Sequence, residues 1–269
     1  MKDTLGQNVL VENRTGAAGS IAASFVSKSP PDGYTVLVVS SSYSINPSIY
    51  SNLPFDPQKD LAPVSLLAEA PFLLVVHPSL PAKNVKDLIA LAKAKPGVLT
   101  YGSGGNGSSG HLAGALFELA SGAKITHVPY KGAGQALIDV MSGQISFMFA
   151  SVLSSGPHVK QQRLRVLAVT SAKRSSGMAE VPTVAEAGVR DYGTTTWYGL
   201  LVPAGTPQAV IEQLSTASQK TVMSPAVRER IMTDGAEPIG STPAGFQKHL
   251  ATEMAKWRNV VKRAGVTVN

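Results

Sequence analysis

The stretch Tyr101-Gly102-Ser103-Gly104-Gly105-Asn106-Gly107-Ser108-Ser109-Gly110 constrains this chain more than any other. It follows the short apolar run Val98-Leu99 and opens a segment in which Leu112, Ala115, Leu116 and Leu119 repeat at the spacing of one helix face. A strand, a loop without bulk and a helix N-terminus form a ready anion site. The first helix amides lack internal partners, and the glycines let a ligand approach the backbone. Ser103, Asn106, Ser108 and Ser109 add short polar side chains. A plainer alternative is that Ser108 or Ser109 merely caps the helix. Loops at the C-terminal ends of α/β strands are where such folds bind ligands, which favours a ligand loop.

The rest of the chain repeats this alternation. Thr4-Leu5-Gly6 reads as a helix tail ending at glycine, and Val9-Leu10-Val11 as a strand. Gly16-Ala17-Ala18-Gly19-Ser20 leads into a helix with Ile21, Ala22, Phe25 and Val26 inward, as a simple strand-to-helix connection. Val36 to Val39 is an apolar strand with hydroxyls at its exit, Ser40 to Ser44. Two strands, Val64-Leu67 and Leu73-Val76, flank Glu69-Ala70-Pro71, and Asn84 caps a helix with Val85, Leu88, Ile89 and Ala92 on one face.

Ile125-Val128 and Ile145-Phe149 are further strands, the second delivering Ala150-Ser151 to its end. Leu164-Val169 follows, then a capping-box helix at Thr183-Glu186 and a long strand, Thr194-Val202, that could run from one domain into another. Thr206-Pro207 and Thr242-Pro243 each start a helix, and the last one carries Phe246, Leu250, Met254, Trp257 and Val261 on a packing stripe. Alternating strands and helices predict an α/β fold with mainly parallel sheets.

Composition excludes several classes. With 43% hydrophobic and 15% charged residues, the chain is a folded globular protein. No cysteine is present, so disulfides, thiolate metal sites and a Cys nucleophile are ruled out. The net charge of +7 is spread over single lysines and arginines without interleaved aromatics, which argues against nucleic acid. The longest apolar runs, such as Phe72-Val76, are too short for membrane insertion. Met1 to Gly6 carries no apolar run behind its lysine, so no signal peptide is read here.

Catalytic motifs are not supported. Gly102-x-Gly104-x-x-Gly107 matches the dinucleotide fingerprint, yet the next strand ends at His127-Val128 with no acidic residue for a ribose. Ser108 occupies the position that excludes a Walker loop, and no serine lies in G-x-S-x-G. His77, His111, His127, His158 and His249 show no metal-ligand spacing. His111, in the first turn of the ligand helix, is expected to be a neutral donor because the helix dipole disfavours its charged form. No metal is expected from these residues.

Several segments together resemble one family: Val11-Glu12-Asn13-Arg14, Pro31 to Thr35, Ile45-Asn46-Pro47, Tyr101 to Gly107, His111 to Gly114, His127 to Gly132, Val181 to Gly188 and Trp197 to Leu200. The chain resembles the Bug-type extracytoplasmic solute receptors of tripartite tricarboxylate transporters. The resemblance implies a type II periplasmic-binding-protein fold, with two lobes and a ligand cleft between them, and a protein that is not an enzyme and needs no cofactor. It further implies a small carboxylate ligand, delivery to the membrane permease subunits, a periplasmic location and a monomeric full-length form.

Carried over by position, the anion loop is Ser103, Gly104, Gly105, Asn106, Gly107 and Ser108, with His111 behind it. The wall of the first lobe is Ser41, Ser42 and Asn46; Ala150-Ser151 is a strand end facing the cleft, and Thr196-Trp197 lies near the return crossing. Ala150, where relatives often carry a polar or acidic residue, makes an amino-acid ligand less expected. Lobe 1 is placed at 1–99 and 200–269, lobe 2 at 100–199, with hinges near Leu99-Tyr101 and Trp197-Gly199. Family members begin with a signal peptide, a first strand and a Pro/Gly-rich loop, so the reading frame is expected to continue upstream of this start. The alternatives are a dinucleotide-binding enzyme built on Gly102-Gly107 and a receptor-derived sensor module signalling to a partner protein.

Overall fold

The computed structural model describes residues 1–14 and 16–266. In chain order it begins with α1 (Lys2–Leu5), α2 (Ser20–Ser27), β1 (Leu37–Ser40), α3 (Ser42–Ile49), β2 (Leu61–Val76) and α4 (Val85–Ala94). Next come β3 (Thr100–Ser103), α5 (Ser109–Ser121), β4 (Thr126–Pro129), α6 (Ala133–Met141), β5 (Phe147–Ser151) and α7 (Val152–Lys160). The chain continues through β6 (Arg165–Val169), β7 (Thr195–Pro203), α8 (Gln208–Met223), α9 (Pro225–Thr233), β8 (Glu237–Pro238) and α10 (Pro243–Ala264). Two compact units result: Met1–Glu69 with Trp197–Asn259, and Ala70–Thr196 with the segment from Val260 onward.

In the first unit β1, β7 and β2 are neighbours in that order, and β1 pairs β7 antiparallel from Leu37↔Leu201 to Ser40↔Tyr198. β8 adds to β2 at Ala68↔Pro238 and Glu69↔Glu237. Trp197, Leu201, Phe246, Leu250 and Met254 form one core with Ala23, Val26, Leu37 and Tyr43. The α10 stripe is therefore packing: Phe246, Leu250, Met254, Trp257 and Val261 are all buried, because their spacing keeps them on one side of the helix.

In the second unit β5, β3 and β4 form a parallel ladder, with Tyr101↔Phe147 on one side of β3 and Tyr101↔His127 on the other. Residues Phe72–Val76 of β2 join β5 and β6 antiparallel, so the sheet is parallel in its middle and mixed where β2 enters. Tyr101, Phe117, Phe147, Phe149 and Tyr192 build its core with Leu74, Val76 and Leu88. α4 starts as its cap foretold: Asn84 Oδ1 accepts from Asp87 N at 2.9 Å, and Val85, Leu88 and Ala92 are buried.

Helix α5 lies so close to β3 that a side chain would not fit at Gly114. A Cβ there would stand 2.1 Å from Tyr101 Cε2, and Tyr101 is 2% exposed, with its hydroxyl donating to the His111 carbonyl at 3.2 Å. Tyr101 has no room to move. Gly114→Ala is expected to destabilise the protein by about 1–3 kcal/mol through overpacking, read by urea unfolding. A loss below about 0.5 kcal/mol would show that Tyr101 yields.

The sequence expectations need correction at several points. Val9-Leu10-Val11 is not a strand; it is exposed and pairs with nothing regular among the described residues, since three apolar residues form no ladder without a partner. On α2 the buried residues are Ser20, Ala23 and Val26, while Ile21 and Phe25 are exposed, Phe25 lying under the Arg14 guanidinium at 3.5 Å. The two strands around Glu69-Ala70-Pro71 are one continuous strand, β2. The serines after β1 enter a helix, α3.

Thr183 and Glu186 do make the reciprocal capping-box bonds, at 3.0 Å each, but around a single turn. The boundary between units falls at Glu69/Ala70 within β2, not at 99/100, and the expected hinge at Leu99-Tyr101 lies inside the second unit. The chain passes from one unit to the next within β2. The return at Thr196/Trp197 falls inside β7.

Candidate functional site

Because β3, β4 and β5 are parallel, their C-terminal ends lie on one edge, and α5, α6 and α7 each start from that edge. The loop Ser103–Ser108 spans the exit of β3 and the start of α5. It runs close to the neighbouring turn: a Cβ at Gly104 would stand 3.2 Å from Ala133 N, and one at Gly105 3.1 Å from Tyr130 O. Gly105 (φ 118°) and Gly107 (φ 74°) take conformations that a side chain disfavours. A side chain would be crowded at Gly104 and Gly105, and torsion favours glycine at Gly105 and Gly107.

The loop binds itself into shape. Ser103 is 1% exposed; its Oγ accepts from Gly105 N at 3.1 Å and meets His127 Nε2 at 2.6 Å. Ser108 N donates to Gly105 O at 3.2 Å, and Ser108 Oγ, the N-cap of α5, accepts from His111 N at 3.3 Å. Gly107 N donates to His111 Nδ1 at 3.0 Å. The amides of Gly105, Gly107 and Ser108 are thus engaged within the loop. Among the described residues no partner is seen for the amides of Gly104, Asn106 and Gly110, the last in the first turn of α5, where the helix dipole favours an anion.

Under the loop the imidazoles of His111 and His127 stack, with centroids 3.8 Å apart and planes 8° apart. Burial pushes His111 down to about 4. Burial, and then the neighbouring His111, push His127 down to about 4 as well. Both rings are neutral at pH 7. His111 is neutral as expected, but burial is the cause, and its Nδ1 accepts a bond, which leaves the proton on Nε2.

The other residues expected at the site fall into separate places. In the first unit Ser41 is buried at the N-cap position of α3. Ser42 Oγ donates to Ala18 O at 3.2 Å, and Asn46 Nδ2 donates to Ala18 O at 3.1 Å and to Ser20 Oγ at 3.2 Å. These side chains hold the turn at Ala18 (φ 50°), at the entry to α2. Trp197 is fully buried against Phe246 in the first unit, its Nε1 without a hydrogen-bond partner among the described residues.

In the second unit Ala150 is 2% exposed, paired with Leu73 in the core. Ser151 Oγ caps α7 by accepting from Ser154 N at 3.2 Å. Thr196 lies in β7 at the last residue before the return crossing. The structure therefore brings Ser103 to Ser108 and His111 together, adds His127, and groups Ser42 and Asn46 with Ala18 and Ser20. Sequence reasoning missed His127 because it weighed each histidine alone; β3–β4 register, which puts Tyr101 beside His127, was the missing signal.

Among the described residues no group of three His, Cys, Asp or Glu could hold a metal ion, and no helix is long and apolar enough to cross a membrane. The chain is similar to Protein BugT of Bordetella pertussis, 35% identical over 267 residues that cover 98% of this chain and 82% of that protein. It is similar in structure to an adipate-bound protein of R. palustris (Rpa4515), with a TM-score of 0.86, 38% identity, and coverage of 99% of this chain and 90% of that one. Malate-bound MatC from Rhodopseudomonas palustris gives a TM-score of 0.81 at 28% identity, covering 97% of this chain and 90% of that one. Periplasmic binding protein BugD gives a TM-score of 0.83 at 29% identity, covering 99% of this chain and 90% of that one, and these likenesses bear out the two-lobed fold of binding-protein receptors rather than enzymes. With residues 1–266 matching its profile, the chain belongs to the family described as Tripartite tricarboxylate transporter family receptor.

Proposed function

We propose that this protein is a periplasmic solute receptor that binds a small carboxylate at the Ser103–Gly110 loop and delivers it to the permease subunits of a tripartite tricarboxylate transporter. The observation that carries the reading is the set of amides at Gly104, Asn106 and Gly110, left over after the loop has bonded itself, at the start of a helix of 13 residues. Each carboxylate oxygen accepts from an amide whose position is already set, so little ordering entropy is lost on binding. The dipole of α5 adds attraction, and the neutral imidazoles beneath supply no competing charge. Adipate and malate in related structures support a carboxylate of this size.

A thermal-shift panel of mono-, di- and tricarboxylates, adipate and malate included, tests the reading against NAD, NADP and ATP. At a hundredfold excess over its dissociation constant, a ligand that binds only the folded state adds about 2.7 kcal/mol. At least one acid is expected to raise the melting temperature, with no shift from the nucleotides. A shift with a dinucleotide and none with any acid would overturn the receptor reading in favour of a nucleotide-dependent protein.

A further inference from the structure

We infer that His111 and His127 are positioning residues: as a stacked pair of imidazoles they clamp the two ends of the anion loop and so aim its amides at the ligand. This rests on the carboxylate reading of the same loop. The two histidines come from different elements, α5 and β4, and reach opposite ends of the loop. His127 Nε2 holds Ser103 Oγ at the exit of β3, at 2.6 Å. His111 Nδ1 holds Gly107 N just before α5, at 3.0 Å.

Stacking at 3.8 Å couples the two anchors, so the loop is spanned by a rigid bridge of two rings. The Tyr101 ring lies against the pair at a tilt of 34° to His127, with centroids 4.9 Å apart, and its hydroxyl is bonded to the His111 carbonyl. The consequence for ligand binding is steric and directional. Gly107 N–H is engaged by an imidazole nitrogen, which fixes the peptide units on either side of it. Neither histidine needs to touch the ligand. Each acts through the backbone it holds, and a side chain that fills the same space without an acceptor cannot replace it.

The test compares His111→Leu, His111→Asn and His127→Gln in the full chain. Asparagine places an acceptor oxygen near the position of imidazole Nδ1, and glutamine places a polar atom near Nε2. Three readouts apply: affinity for adipate and malate, exchange protection of the Gly107 amide, and the tautomer of His111 from its ring nitrogen resonances. His111→Leu is expected to lose about tenfold or more in affinity together with the Gly107 protection. His111→Asn is expected to recover both to within about threefold. His127→Gln is expected to keep the loop, and wild-type His111 to carry its proton on Nε2.

Equal losses in the Leu and Asn variants would show that only ring packing matters and overturn the clamp. So would an Nδ1-protonated His111, or Gly107 protection that survives His111→Leu. The exchange and tautomer measurements need no ligand. A wild-type protein that binds neither acid nor any other carboxylate, yet shows the protected Gly107 amide, would overturn the functional reading and leave the bridge standing as a feature of the loop.

Discussion

Gly107→Val is expected to abolish carboxylate binding, by at least about a hundredfold, while the protein stays folded. Gly107 sits at φ 74°, where a β-branched residue is a steric outlier. Single left-handed residues with a side chain cost about 1–2 kcal/mol, and branching at Cβ adds to that. The loop relieves this strain more cheaply than the unit can unfold, because Gly107 is half-buried at the edge and belongs to no part of the Tyr101–Phe147 core. Relief means rotating the Gly107 peptide, which breaks its bond to His111 Nδ1 and turns the ligand amides away. Asparagine tolerates the left-handed region, so Gly107→Asn is expected to keep more of the affinity than valine does. Calorimetric titration measures the binding, and urea unfolding checks the fold. Affinity within about threefold of wild type in the valine variant would place the ligand elsewhere.

Stability is expected to fall steeply as the pH drops from about 6.5 towards 4, and the histidine pair is expected to cause much of it. His111 and His127 ionise near 6.5 when unfolded and at about 4 when folded. Between those values the unfolded chain binds more protons, so stability rises with pH; it is fully present above 6.5 and is lost on descent. At 1.36 kcal/mol per unit, and allowing for residual solvent screening, His111 contributes about 2 to 3 kcal/mol. His127 is half-buried and part of its shift comes from His111, so its share is smaller and not additive.

His249, held down by burial, works in the same direction, while Glu69 and Glu118, pushed up by burial, work against it. Unfolding in urea at pH 7, 6 and 5 is expected to show the loss, and the double variant His111→Asn, His127→Gln to show about half of it or less. An unchanged pH slope in that variant would mean the pair is not the source.

What the sequence made legible was local and periodic. Asn84 before Val85, Leu88 and Ala92 could mean little other than a capped amphipathic helix, and the α10 stripe was as plain. The glycine-serine loop after β3 could be read because its strand, its torsional freedom and its helix are contiguous. β2 was not legible, because Pro63, Pro71 and Glu69-Ala70 look like punctuation, and tertiary pairing with β7, β8, β5 and β6 keeps that segment extended. Helix α7 was missed because Ser154, Ser155, Gly156 and Pro157 have poor helix propensity; its Ser151 cap and its packing on β5 decide the matter. The capping box at Thr183 was read correctly as a bond pattern and wrongly as a helix, since Gly188 at φ 113° ends the segment after one turn. His111 and His127 lie on different elements, and their partnership depends on the register of β4 against β3, which no local pattern reveals.

The central claim is that backbone amides of this one loop hold a carboxylate, and amide NMR during titration with adipate and with malate tests it most directly. The account expects the amides of Gly104, Asn106 and Gly110 to move downfield in a saturable way, all with one dissociation constant, while Gly107, bonded to His111, moves least. Saturable binding of either acid that leaves these three amides unmoved, or movement of the same amides by ATP or NADP and by no acid, would contradict it.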